Sequence, residues 1–206
     1  MKKLLLAIVA LVLMAGCSSE PSQPAKTEKP QPKTPEFVTG RTGFQRLYIA
    51  ARGWARDAQP YRLESMVTSD SKGKDGKSAV WRASFASALQ HGVKPYVWSG
   101  EDAPDVPSRG INPGTEDNYS PGNSSTQVFD VAFLKVDSDK ALQEAQKHGG
   151  EKLLGKDPET PILYVLDWSN ATHELIWHVI YGANRDQAKL KVAVNASSGE
   201  FIRVEK

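Results

Sequence analysis

The chain contains one cysteine, Cys17, so no internal disulfide can brace its fold. Whatever stands beyond that residue must be held by an apolar core. About 170 residues follow the N-terminal segments, enough for one domain or two small subdomains. The position of the cysteine is itself informative. Lys2 and Lys3 precede a continuous apolar run from Leu4 to Met14, and Ala15-Gly16 places small residues directly before Cys17. A charged start, a short apolar stretch and small residues make an export signal. The run is well short of the roughly 20 residues that a membrane-spanning helix needs.

The string Leu13-Met14-Ala15-Gly16-Cys17 resembles the lipobox of bacterial lipoproteins. Met14 stands where that family more often carries Leu. The resemblance implies a signal peptide over 1–16, cleavage before Cys17, and lipid on that cysteine: a thioether-linked diacylglycerol and an amide-linked acyl chain such as palmitate. Each buried methylene contributes about 0.8 kcal/mol, so several chains anchor far more firmly than one. Ser18, not Asp, follows the cysteine. By resemblance to proteobacterial sorting, that favours the outer over the inner membrane, with the protein facing the periplasm. The alternative is an ordinary secretory signal with Cys17 as a stray thiol. Loss of Lys2 and Lys3 leaves 24 basic against 24 acidic residues. A near-neutral mature chain shows no basic footprint for nucleic acid.

Segment 17–36 reads as a lipidated, disordered tether. It is rich in Pro, Ser, Lys and Glu and has no large apolar residue. Such a composition cannot bury enough surface to offset ordering entropy, and its prolines favour an extended spacer. An N-terminal α+β half is expected over 37–127. Phe44, Leu47, Tyr48, Ala51 and Trp54 recur at helical spacing, with Thr42 as the expected N-cap and Asp57 to Pro60 ending the helix. Alternating strands follow over Tyr61–Val67, Ala79–Ser87 and Val93–Trp98. Segment 101–126, rich in Pro and Gly, is the longest irregular stretch and is expected to be a surface loop.

A second α+β half is expected over 128–206. It opens on a strand or extended segment from Val128 to Leu134. A helix begins at Asp137-Ser138-Asp139, where short oxygen acceptors and negative charge suit free amides. His148-Gly149-Gly150 ends it. Strands follow at Pro161–Trp168, Glu174–Tyr181 and Lys189–Ala196, then a Ser197-Ser198-Gly199 turn into Phe201–Val204. Both halves run helix, strand, strand, strand. Trp81 is followed by Phe85, and Trp177 by Tyr181, at the same spacing, which suggests internal duplication. From Ser138 to Lys206 the pattern resembles the PepSY family, through Trp177 in its strand and the closing run Val192-Ala193-Val194-Asn195-Ala196-Ser197-Ser198-Gly199. Asn195 stands where the family more often has Asp. The resemblance implies a small module of helix on antiparallel sheet, with a binding or peptidase-modulating role and no catalytic residues to transfer.

No catalytic constellation is expected, and no metal site or cofactor. His173-Glu174-Leu175-Ile176-Trp177-His178 resembles the zinc-peptidase motif His-Glu-x-x-His but has one residue too many. In a strand its two histidines would point to opposite faces. Trp54, Trp81 and Trp177 fall on apolar stripes and are expected in the core. Trp98 and Trp168, at strand ends beside polar turns, are expected to be partly exposed. With Tyr119 they are the candidate partner-binding residues. The leading expectation is a non-enzymatic, membrane-anchored envelope lipoprotein that binds a protein or peptide partner. The alternative is an envelope hydrolase acting on cell-wall or extracellular polymer, and a purely structural anchor protein is the third.

Overall fold

The structure is a computed structural model and describes residues 34–205. Cys17, Ser18 and the signal segment lie outside the described residues. In chain order the elements are β1 (Val38–Thr39), α1 (Gly40–Trp54), β2 (Gln59–Ser65), β3 (Lys77–Ser78), β4 (Val80–Ser87), β5 (Gly92–Ser99), β6 (Gly110–Pro113) and β7 (Asp117–Asn118). Then come α2 (Ser138–Ala145), α3 (Glu151–Lys156), β8 (Ile162–Ser169), β9 (Glu174–Tyr181), β10 (Leu190–Asn195) and β11 (Phe201–Glu205). Among the described residues no helix is long and apolar enough to cross a membrane.

The fold is α+β, built on one large antiparallel sheet. Its strand order is β11-β10-β9-β8-β2-β4-β5-β6, with β7 also pairing β5. A helix followed by three long strands occurs twice along the chain. The two runs lie in one sheet, not two, and meet where β2 pairs antiparallel with β8. That seam is short: Arg62, Leu63 and Glu64 face Asp167, Leu166 and Val165.

Alternation along the strands gives the sheet two different faces. Leu63, Trp81, Phe85, Tyr164, Leu166, Trp177 and Val179 share a core with Phe44, Leu47 and Ala51 of α1 and Ala141, Leu142 and Ala145 of α2. The helices therefore cover this face. Arg62, Glu64, Arg82, Asp167 and His178 stand between those core residues in sequence and point to the other face.

Several expectations are corrected. The α1 N-cap is Thr39, not Thr42, because the first helical amides are satisfied from far along the chain. The Gly40 N–H donates to Ser138 Oγ at 2.7 Å, and the Arg41 N–H donates to Asp137 Oδ1 at 2.9 Å. The run 128–134 is not a strand. It has no partner strand and closes into a short turn of helix, Val131–Phe133, capped by Asp130, which accepts from the Ala132 amide at 2.8 Å. Segment 101–126 is not uniformly irregular, since β6 and β7 fold back and pair with β5.

Two glycines of α1 give a test of how the helix sits. A Cβ on Gly43 would stand 2.7 Å from the Trp81 ring, whereas one on Gly53 meets nothing within 4 Å. Gly→Ala in a helix gains about 0.8–1.0 kcal/mol of propensity, and overpacking a core costs about 1–3 kcal/mol. Gly53→Ala should therefore raise stability by up to about 1 kcal/mol. Gly43→Ala should lower it, because the fully buried indole cannot retreat. Denaturant unfolding of both variants checks this, and equal stabilisation would show that α1 does not press on Trp81.

Candidate functional site

The face away from the helices carries a row of ionic groups drawn from five strands. At its centre His178 lies between two carboxylates. Its Nδ1 is 2.8 Å from Glu205 Oε2, and its Nε2 is 3.0 Å from Asp167 Oδ1. Arg203 bonds the other oxygen of Glu205 at 3.0 Å. Arg185 and Arg62 approach Asp167 Oδ2 at 3.4 and 3.7 Å. Arg62 also donates to Glu64 at 2.9 Å, and Glu64 lies 3.8 Å from Arg82. The row thus runs from β11 across β10 to β9, β8, β2 and β4 and ties both sides of the seam.

These neighbours set the charge states. Burial of His178 disfavours its charged form, but the two carboxylates outweigh that and raise its pKa. Burial likewise opposes ionisation of Asp167, yet His178, Arg185 and Arg62 hold its pKa below the ordinary value. The His178 hydrogen bond is the main cause lowering Glu205. The imidazole has both nitrogens occupied by carboxylates, so neither is free to take a proton from a substrate. Among the described residues no hydroxyl is hydrogen-bonded to it as a nucleophile would be. The acids that converge here are each neutralised by a partner. Among the described residues no three His, Cys, Asp or Glu side chains are placed to hold a metal ion.

The strands part at both ends of the short seam, and each gap is a hollow. One, of about 310 Å³, has Leu163, Val165 and Ile180 in its lining, with Arg62, Glu64 and Arg185 as its charged groups. The other, of about 250 Å³, is lined by Tyr61, Trp168, Arg62, Asp167, Gln127 and serines 124 and 125. Arg62 is common to both. Tyr61 is the extra residue of a bulge in β2, since Pro60 and Arg62 face consecutive residues of β4. A bulge re-aims a side chain out of the regular alternation.

The structure does not bring the three candidate aromatics together. Trp98 is 4 % exposed, against the expectation of an open strand end. The backbone of β6 pairs beside it, and the Arg46 guanidinium covers its ring at 4.6 Å. Tyr119 is half-buried next to β7, with its amide donating to His91 O at 2.9 Å. Strands β2 and β4 separate that edge from β8 and Trp168. Trp168 lines the second hollow, half-buried, with Phe133 against it at 5.2 Å between ring centroids. Sequence reasoning placed His178 opposite Trp177 but missed its partners, Asp167 and Glu205. The available signal was a single ionisable residue set among apolar positions of the same face, Asp167 after Leu163 and Val165 in β8 and His178 between Ile176 and Ile180 in β9. His173, in contrast, sits in the turn before β9 at φ 54°, so the two histidines do not form a pair.

The ionic row should leave a pH signature. His178, with its raised pKa, contributes stability that is complete below its unfolded value of about 6.5 and is lost as pH rises through the folded value. Asp167 and Glu205, with lowered values, contribute fully above about pH 4.3, and that is lost as pH falls through their folded values. The network should therefore be strongest between about pH 4.3 and 6.5. His178→Gln should cost on the order of 3 kcal/mol in that window and progressively less above it. Thermal unfolding against pH checks this, and a pH-independent difference would refute an ionised His178.

No protein-family model matches the chain, and no curated protein matches it by sequence. Among solved structures, its fold is similar to the crystal structure of a putative lipoprotein (CD1622) from Clostridium difficile 630. The match has a TM-score of 0.54 at 11% identity and covers 82% of this chain and 94% of that one. At that identity the likeness is one of fold.

Proposed function

We propose that the protein is an envelope lipoprotein whose domain, tethered through lipid on Cys17, binds a protein or peptide partner without chemical turnover. The observation that carries the binding role is the hollow at the seam, with apolar Leu163, Val165 and Ile180 and with Arg62 and Arg185 among its lining residues. Ligand sites favour such joints between structural units, where a few polar groups orient an apolar contact. Arg185 is the mobile-reach element of the rim: its side chain is 44 % exposed and its contact with Asp167 is long, at 3.4 Å. It can turn to a partner while Arg62 and His178 keep Asp167 compensated.

Two lines support the family and location in this proposal. The repeated order of one helix and three antiparallel strands, each with a buried Trp in its middle strand, is what a duplicated PepSY-like unit would have. The lipobox-like Leu13–Cys17 and the fold shared with a putative lipoprotein support the anchor. The paired state of every acid in the ionic row speaks for binding over hydrolysis of a polymer.

Two experiments test this. Cys17→Ser should abolish acylation and release the protein from membranes, and retention without lipid would defeat the anchor. A photo-crosslinking residue at exposed Ala183, which lines the hollow, should give a discrete partner adduct in intact cells. The adduct should disappear when Arg185 is replaced by Glu. The same probe at exposed Gly53 on α1 should give none. No adduct at 183, or adducts indifferent to Arg185→Glu, would defeat the binding role.

A further inference from the structure

The second hollow, at the other end of the seam, differs in chemistry from the first. Its walls carry two aromatic rings, Tyr61 and Trp168, and a set of planar hydrogen-bonding groups, Arg62, Asp167 and Gln127. One of the aromatics is there because of the bulge at residue 61, and the other is steadied by Phe133. Regular strand alternation would have sent Tyr61 and Trp168 away from the face of Arg62 and Asp167. The parted strands and the bulge bring both kinds of group to one place.

We propose that this hollow is a saccharide-binding site for a neutral, polyhydroxylated ring, which stacks on Trp168 and Tyr61 and hydrogen-bonds Asp167, Arg62 and Gln127. Four observations select that ligand class. First, the hollow holds one guanidinium and one carboxylate, so it offers no net charge to an anionic or cationic ligand. Second, Asp167 has accepting capacity to spare. Its Oδ1 is committed to His178 at 3.0 Å, but its Oδ2 has only the 3.4 and 3.7 Å approaches of two arginines. Those are longer than the 2.7–2.9 Å of a full charge-assisted bond, so hydroxyl groups can be accepted there. Third, Arg62 uses its Nε for Glu64 and keeps terminal N–H donors for the same ligand. A vicinal diol, which both donates and accepts, matches an adjacent Asp and Arg. Fourth, the strands at this place, β2 and β8, are interior to the sheet. An extended peptide would need a free strand edge to add to, and there is none here.

The ionic row acquires a purpose in this light. His178 and Glu205 sit behind Asp167, away from the ligand, and hold its carboxylate in one orientation. They are positioning residues for that acceptor.

The test is calorimetric titration of the full chain with three neutral oligosaccharides: chitotetraose, cellotetraose and maltotetraose. Saturable binding of at least one is expected. Trp168→Ala should weaken it at least tenfold and Gln127→Ala several-fold. Gln127 lies on a surface loop where the substitution leaves the core untouched, so its effect does not depend on the fold surviving a larger change. Asn184→Lys, an exposed position that lines only the other hollow and makes no contact with Asp167, should change the affinity less than twofold. Absence of saturable binding across the panel would overturn the proposal, as would binding that Trp168→Ala and Gln127→Ala leave unchanged. The result is independent of the partner proposed for the first hollow, because the adduct at Ala183 reports a partner at that hollow in cells, whereas titration with pure oligosaccharide and the Trp168 and Gln127 variants report on the second.

Discussion

Two indoles organise this molecule. Trp81 and Trp177 are both fully buried and meet edge-on, 6.5 Å apart. A buried indole N–H must find an acceptor, and each finds the same kind. Trp81 Nε1 donates to Val38 O at 3.0 Å, and Trp177 Nε1 donates to Val136 O at 2.9 Å. Each acceptor lies two residues before a helix begins, at Gly40 and at Ser138. The rings therefore fix where both helices enter the core. Because the rings touch, the helix starts touch as well. Asp137 Oδ1 accepts from the amides of Arg41 and Ser138, and Ser138 Oγ accepts from Gly40 and donates to Gly76. Two helix N-termini, each with free amides and a positive dipole end, share one carboxylate.

That arrangement explains why the seam can be so short. Strands β8 and β9 pair over eight residues, whereas β2 and β8 pair over three. The two runs are joined mainly through the core beneath the helices, by ring contact and shared caps. Ladder hydrogen bonds contribute less to the joint. Freed from holding it, β2 and β8 diverge at both ends, and Ser65 Oγ substitutes for a ladder partner by accepting from the Tyr164 amide at 3.0 Å. Both hollows follow from that divergence. They are consequences of how the core is assembled, on the face the core leaves open.

What could be seen in the sequence divides along the same physical line. The helical stripe of Phe44, Leu47 and Ala51 is buried as its period implies, and β9 occupies Glu174–Tyr181 as its alternation implies. These elements are long, and one face of each is apolar, so burial specifies them. Strands β6 and β7 were not visible because they are short and half-exposed: Ile111 is 44 % exposed, and their pairing rests on backbone groups that every residue has. Segment 128–134 misled for the opposite reason. It is apolar, but only Phe129 and Leu134 go inward, while Val131 and Phe133 stay 37 % and 42 % exposed. The ionic row was hidden because Arg62, Asp167, His178 and Glu205 become neighbours only through the strand order. Their presence on alternate positions could be read, but not their partners.

The row is a poor candidate for raw stability. Replacing a buried ion network with packed apolar groups is often neutral or favourable, because desolvation offsets the attraction. Its elements point to a different advantage. An apolar side chain at 178 would pack against whatever lay nearby, but an imidazolium with one carboxylate on each nitrogen accepts a single geometry. It ties β11 to β9 across β10 through Glu205, and β9 to its neighbour β8 through Asp167. The residue so positioned, Asp167, is the one charged group on β8 that faces across the seam to Arg62. A fold joined loosely along its seam needs something to hold that place still on the open face. The charge row does this where strand pairing does not.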